Sequence, residues 1–372
     1  MVCRSLLLLV ILFSLAFASR AERFESEFSG SNPTIAKWYN NCAAAISLTY
    51  DDGCPFSKSN QIINRFVLEN KLTIDYEIVT RDYLTHPFLK NFLLKKMIPT
   101  GLGYFGHGHT HMNHDKLSYE DALKSFTQCF RTLKKFGLKP VAYAYPKGAA
   151  KETKTRKALA ESGFLCGRLH FSKQMTHPFI VPGTQMEPDD WFGLPTLVMQ
   201  DYAFNQCDRC VNTNEQLISY LDETIRQNAW IILTYHAVGN EKGYGFFKYD
   251  EFRKNIYSIS ERNFWNASMN AITLYIRERL HAKVKIIPVI KKNNRIEELR
   301  ITLSDNLSND IYDQPLTVLL RIPAEWVNKT IALVENGQTI KTFLFNSSNA
   351  KVSIKPDERE RRLIIPKNPG EE

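Results

Sequence analysis

Apolar positions along this chain follow two regimes. Up to about residue 280, short strand-like runs alternate with longer segments whose apolar side chains recur at helical spacing, the pattern of an α/β fold on parallel strands. Residues 43–49 form the first strand. Residues 57–68 follow as a helix that places Ile62, Ile63, Phe66 and Val67 on one face behind the capping-type serines Ser57 and Ser59. Further strand-like runs lie at 72–79, 141–145, 164–169 and 230–235, and helices are predicted at 87–96, 118–136, 151–162, 214–227 and 268–280. The longest helix opens on Ser118 with Glu120 and Asp121 in its first turn, and the 151–162 helix closes on Gly163. Residues 170–206, rich in proline and aromatics, read as loop. Beyond His281 the period changes. Runs at 283–288, 296–303, 316–322, 330–334, 339–344, 351–354 and 363–365 are separated by turn residues, which predicts a small antiparallel sandwich of immunoglobulin type. The division expected is an α/β domain over 33–282 and a sandwich over 283–368.

Residues 1–18 add a targeting expectation. Arg4, an apolar run over 6–18 and the small-x-small site Ala16-Phe17-Ala18 have the form of a secretory signal, with cleavage after Ala18 or Ala21. That run is too short to span a bilayer, and no later segment qualifies, so a secreted or lumenal protein without stable membrane insertion is expected. Cys42, Cys54, Cys129, Cys166, Cys207 and Cys210 would then allow up to three disulfides, with Cys207 and Cys210 read as a local pair. Asn266, Asn306, Asn328 and Asn346 open glycosylation sequons. The chain of 372 residues is 44% hydrophobic and 23% charged, enough for a sizeable core. Its formal charge of +9 is scattered, with short clusters at Lys291-Lys292 and Arg359 to Arg362, and reads as solubility and secondarily as a hold on an anionic polymer; no nucleic-acid partner is expected.

The chemistry gathers at strand ends. Ser47-Leu48-Thr49-Tyr50-Asp51-Asp52-Gly53 is an apolar strand that stops at two adjacent carboxylates, which repel one another unless a cation holds one of them. Four histidines crowd into residues 107–114: His107, His109, His111 and His114. The turn Tyr143-Ala144-Tyr145-Pro146-Lys147-Gly148 and His236, after the 230–235 strand, supply two more polar ends. In a parallel barrel these ends share one face. Two imidazoles and one carboxylate bind a divalent metal and leave positions open, as catalytic zinc sites require, and His107 and His111 stand at i, i+4 so that both can aim one way. One of Asp51 and Asp52 would ligate while the other accepts a proton, and His236 is the candidate acid for the leaving group.

These residues resemble the polysaccharide deacetylases, the NodB-homology or carbohydrate esterase family four proteins. Thr49-Tyr50-Asp51-Asp52-Gly53 is similar to the family's T-F-D-D-G, His107-Gly108-His109-Thr110-His111 to its H-x-x-x-H, and Leu233 to His236 to its late L-x-x-H. The resemblance covers residues 43–280 and implies a distorted (β/α) barrel that removes acetyl groups from glycans with a divalent metal, most simply Zn²⁺. It makes Asp51 the base, Asp52, His107 and His111 the metal ligands, and His236 the acid. Leu233 would line the acetate pocket, and the Lys147 backbone N–H would stabilise an oxyanion. His109 and His114 compete for the histidine register. Tyr145 and Trp191 are candidate sugar contacts, Trp191 from a weak fourth-motif likeness at Asp190-Trp191. The third motif reads Ala144-Tyr145-Pro146-Lys147-Gly148 and lacks the arginine that orients the base in many members. The function implied is a secreted, metal-dependent deacetylase of an acetylated polysaccharide or oligosaccharide, with an N-acetylglucosamine-type substrate as the first choice. A glycan-binding protein without turnover, or a hydrolase of a non-acetyl amide, are the alternatives.

Overall fold

The computed structural model describes residues 33–366 apart from 54, 149, 171–176, 202–209 and 292–294; the signal-like residues 1–18 and Cys207 lie outside them. Two compact units form. One is Lys37–His281 with Leu307–Gln314; the other is Ala282–Asn306 with the chain from Pro315 and, among the described residues, 33–36. Strand β1 (Thr34–Ile35) belongs to the second unit.

The first unit is a curled parallel sheet with helices. Its strands are β2 (Ala44–Tyr50), β3 (Asp75–Ile78), β4 (Gly103–Gly106), β5 (Ala142–Ala144), β6 (Cys166–Arg168), β7 (Leu197–Val198), β8 (Trp230–Tyr235) and β9 (Phe264–Asn266). The order is β6-β5-β4-β3-β2-β8-β7, with β9 pairing with β2. Every residue of β2 and β8 is buried, and the two run in register from Ala45 opposite Trp230 to Tyr50 opposite Tyr235. A strand covered on both faces has no polar side to show, so its sequence does not alternate, and the hydroxyls of Ser47 and Thr49 in β2 donate to Ala267 O and Leu233 O inside the fold. The two outer strands are joined by a segment expected to be loop. Leu194 exchanges backbone hydrogen bonds with Gly167 and Leu169 beside β6, and three residues later Leu197 pairs with Leu233 of β8.

The helices are α1 (Lys58–Glu69), α2 (Thr80–Thr85), α3 (Pro87–Phe92), α4 (Tyr119–Lys135), α5 (Thr153–Glu161), α6 (Asn214–Arg226), α7 (Tyr249–Ser260) and α8 (Met269–His281). Helix α4 has a local cause at each end. The Ser118 hydroxyl accepts from the Asp121 N–H at 3.1 Å, Glu120 and Asp121 face the positive end of the dipole, and Lys134 and Lys135 face the negative end. Its buried stripe is Ala122, Phe126, Cys129 and Leu133. Helix α1 is capped in the same way by Ser57, whose hydroxyl accepts from Asn60 N–H. Helices α2 and α7 and strand β9 were not among the elements expected from sequence. In α7 the buried Phe252, Ile256 and Ile259 have helical spacing, but charged and polar neighbours dilute the signal.

The second unit holds two antiparallel sheets, with orders β1-β12-β15 and β10-β11-β16-β13-β14. Its further strands are β10 (Lys283–Ile290), β11 (Ile296–Ser304), β12 (Leu316–Arg321), β13 (Thr330–Glu335), β14 (Gln338–Leu344), β15 (Asn349–Ile354) and β16 (Asp357–Ile364), at the positions of the seven runs read from sequence. Leu299, Ile301 and Leu303 of β11 show the period of two that buries one face. Asn336 and Gly337, both at positive φ, close the tight β13–β14 hairpin.

Three disulfides do not form, because Cys129 and Cys166 are buried free thiols. Cys210 is disulfide-bonded. Asn266 is also committed internally: its side chain accepts from Thr73 N–H at 2.6 Å, so this sequon suits packing better than a glycan. Replacing the α4 cap, Ser118→Ala, should lower unfolding free energy by about 1 kcal/mol in urea titrations while leaving metal uptake unchanged.

Candidate active site

Parallel pairing brings neighbouring strands to an end at one level. Tyr50 lies opposite both Tyr235 and Tyr76, so Asp51, His236 and Glu77 emerge together. Ile78 lies opposite Gly106, Gly106 opposite Tyr143, and Ala144 opposite Arg168, which brings His107 and Arg168 to the same rim. The ladder continues one step past the strands: Asp51 N–H donates to Tyr235 O at 2.9 Å, and His107 N–H to Ile78 O at 3.0 Å.

Asp52, His107 and His111 offer ligand atoms that all lie within 4.8 Å of one another. His111 Nε2 is 3.5 Å from Asp52 Oδ1. His107 donates from Nδ1 to Ala144 O at 2.9 Å, which fixes its tautomer and leaves the Nε2 lone pair facing the cluster. Burial, offset in part by Asp51, pushes the His107 pKa down to about 3, so the ring is neutral as a ligand must be. Two imidazole nitrogens and a carboxylate oxygen suit a divalent metal. The competing histidines turn elsewhere. His109 lies between Thr80 Oγ1 at 3.0 Å and Gln128 Nε2 at 2.9 Å, while His114 stacks on Phe126 and bonds Ser125. Asp52 reaches its place with φ 51°, a left-handed backbone that is strained for a residue with a side chain.

Asp51 points to a different partner. Burial alone would raise its carboxyl, but the Arg168 guanidinium that donates to it, helped by His107 and His236, holds the pKa at about 2. Arg168 is 1% exposed and lies over the Phe105 ring, 5.1 Å from its centroid. The third-motif turn lacks an arginine, yet the base candidate has one, supplied from the end of β6.

A family model described as polysaccharide deacetylase matches residues 39–166, which carry Asp51, Asp52, His107 and His111. The chain carries a polysaccharide deacetylase domain. Among solved structures that resemble it are a family 4 carbohydrate esterase from Streptomyces lividans in complex with acetate (12% identity, 62% of this chain and 95% of that one, TM-score 0.40) and the peptidoglycan deacetylase PdaC from Bacillus subtilis (14% identity, 62% and 89%, TM-score 0.38). A Puue allantoinase is similar at 13% identity, over 66% of this chain and 93% of that one, with TM-score 0.45. No curated protein matches the chain significantly.

In the first unit a cavity of about 340 Å³ brings together Asp51, Asp52, His107, His111, Tyr145, Lys147 and His236. Leu233 and Trp191 are not in its wall. Leu233 is fully buried inside β8 between Leu48 and Leu197. Trp191 packs beneath the Arg277 guanidinium, 4.3 Å from the ring centroid, and its Nε1 donates to Glu187. Tyr145 contributes wall rather than platform, since it is 2% exposed and its hydroxyl donates to Phe192 O. Lys147 sits at φ 59° within the Pro146–Gly148 turn.

His170, Tyr244, Arg168 and Glu77 were missed in the sequence. His170 Nε2 is buried without a hydrogen-bond partner, and its ring centroid lies 5.8 Å from that of His236. Tyr244, 59% exposed, stands edge-on to His236 at 5.1 Å. Gly245 follows at φ 65°, and a Cβ there would meet the His236 ring at 2.9 Å. A signal for two of them existed: Arg168 and His170 terminate the 164–169 run as Asp51 and His236 terminate theirs. Burial raises the Glu77 carboxyl well above its ordinary range, with Asp51 and Asp52 adding to the shift.

Two outcomes follow from these charges. Arg168→Ala leaves a buried unpaired carboxylate at Asp51 and should cost about 3–5 kcal/mol of unfolding free energy by chemical denaturation. Burial, offset in part by Asp51, lowers His236 from 6.5 to about 4, so the neutral ring's contribution is complete above pH 6.5 and is lost as pH falls towards 4. Urea melts of metal-free protein across that window should show declining stability, with a shallower slope in His236→Gln.

Proposed function

We propose that the protein is a secreted, metal-dependent deacetylase of an acetylated carbohydrate, with an N-acetylglucosamine-type glycan as the first substrate to test. The observation that carries this reading is the convergence, in one cavity, of the Asp52, His107 and His111 cluster with an arginine-paired Asp51 and the buried His236. Export is supported by the signal-like residues 1–18, and no helix among the described residues is long and apolar enough to cross a membrane.

Asp52, His107 and His111 would hold the ion, and the nitrogen-rich donor set favours zinc. A bound divalent ion supplies Lewis acidity at the acetyl carbonyl and makes water more acidic. Asp51, kept ionised by Arg168, takes the proton from the attacking water. The pairing also fixes the carboxylate, because the guanidinium donates to Oδ1 while Asp51 lines the cavity. His236, neutral at rest, takes up the proton that Asp51 has received from the water and passes it to the departing amine or alcohol, the restored Asp51 carboxylate favouring the protonated ring in between. The Lys147 N–H is the candidate donor to the oxyanion, from a turn whose unusual φ sets the peptide direction. Tyr244 offers its exposed ring to a sugar face, the role expected of Trp191. Arg168 supports turnover over binding alone, since it gives the base candidate the arginine that the third motif lacks.

Acetate release from chitooligosaccharides, peptidoglycan and acetylated xylan, measured on mature protein stripped of metal and then reloaded with zinc, tests the proposal. Release should require metal, fall below detection in Asp51→Asn, and drop by about 10²–10⁴ in kcat in His236→Gln. A metal-loaded protein that releases no acetate from any of them overturns it, and a parallel panel of non-glycan amides identifies the other hydrolase.

A further inference from the structure

His111 is the least firmly held member of the metal cluster. His107 is fixed by its bond to Ala144 O, but among the described residues no hydrogen bond orients the His111 ring, whose polar neighbour is Asp52 at 3.5 Å. Its place depends on the segment that carries it. Four residues further on, that segment reaches Asp115, a carboxylate outside the cavity wall.

Both Asp115 oxygens are engaged at the start of α5. Oδ2 accepts from Lys151 N–H at 3.1 Å, while Oδ1 accepts from Glu152 N–H at 3.4 Å and from the Thr155 hydroxyl at 2.7 Å. Glu152 stands at the N-cap position and gives no side-chain cap of its own. Asp115 therefore satisfies donors that a helix start leaves open, and its charge faces the positive end of the helix dipole. The grip holds a second element as well. Lys151 lies four residues after Lys147, and the turn between them is braced by Gly148 N–H to Tyr145 O and Ala150 N–H to Gly148 O. Lys154 adds a further tie by donating from Nζ to Leu117 O at 3.0 Å.

We propose that Asp115 is a positioning residue that locks the His111 segment to the Lys147 turn, so that a metal ligand and the candidate oxyanion donor are set as one unit. The inference rests on the metal reading of Asp52, His107 and His111 given above. A carboxylate is needed because both oxygens accept at once. An amide of the same shape has a single acceptor oxygen, so Asp115→Asn turns an NH₂ group towards a donor and breaks the tie on one side. A tie that served only the stability of α5 would leave ion binding and turnover untouched.

The test separates placement from stability. For the full mature chain, Asp115→Asn and Thr155→Val, Zn²⁺ affinity is measured by competition with a chromophoric chelator, alongside acetate release at saturating zinc and urea unfolding. Asp115→Asn should lose about tenfold or more in zinc affinity. Its kcat at saturating zinc should also fall by about tenfold or more with KM little changed, since an oxyanion donor acts in the transition state. Thr155→Val removes one of the three donors and should show both losses in smaller measure, even where the asparagine variant fails to fold. Ser118→Ala, which removes the cap of α4 instead, is the control for stability: it should unfold earlier with zinc affinity unchanged. Folded Asp115 and Thr155 variants with wild-type zinc affinity and kcat overturn the role of Asp115 alone. A wild-type chain that binds zinc but releases no acetate overturns the deacetylase reading, and the zinc affinities still decide the role of Asp115. A wild-type chain that takes up no zinc overturns the metal centre, and with it this inference.

Discussion

Strand register is the constraint on which the site depends. Parallel neighbours that pair residue for residue must end together, and here the pairing runs from β8 through β2, β3, β4 and β5 to β6. A slip of one residue in β2 would turn Asp51 away from Arg168 and exchange it for Asp52, because side chains alternate between faces. The burial of both β2 and β8 on their two faces makes such a slip costly, so the hydrophobic core fixes the positions of the charges at its edge.

Those charges are then managed by pairing. Four acidic or basic groups from four strands, Asp51, Glu77, His107 and Arg168, meet in a region almost closed to water. Such groups stay there only if each finds a partner or loses its charge. Asp51 is paired with Arg168, His107 is neutral and anchored to a carbonyl, the Glu77 carboxyl is raised well above its ordinary range by burial beside His107, and Asp52 is left facing His111. Asp52, His107 and His111 direct their electron pairs at one small volume, which is the electrostatic description of a site that wants a cation. The strained backbone at Asp52 and Lys147 fits the same account, since both stand where the chain must turn sharply to present a group to the cavity.

Much of this was legible in the residues themselves. The order of the strand-like runs, the seven short strands after His281, the Ser118 cap and the carboxylate and histidine motifs all come from local chemistry and period. Their counterparts in the structure differ by a few residues at the ends. The weaker readings were those that needed a direction rather than a residue type. Trp191 is aromatic and follows an aspartate, but its indole turns to Arg277. His109 and His114 have the same composition as the ligand candidates and adjacent positions, yet a hydroxyl and an aromatic ring claim them.

The sequence by itself determined the kinds of element and the kinds of chemistry, because helical and strand periods and short motifs are carried by residues close together in the chain. Only the tertiary structure decided which distant residues share the site. Arg168 meets Asp51 across 117 positions, Glu77 meets His107 across a strand and a crossover, and Tyr244 arrives on a turn held open by Gly245. No local period encodes these meetings. They follow from the order in which parallel strands pair, a global solution to burying apolar faces, and that order supplied from β6 the arginine absent from the third motif.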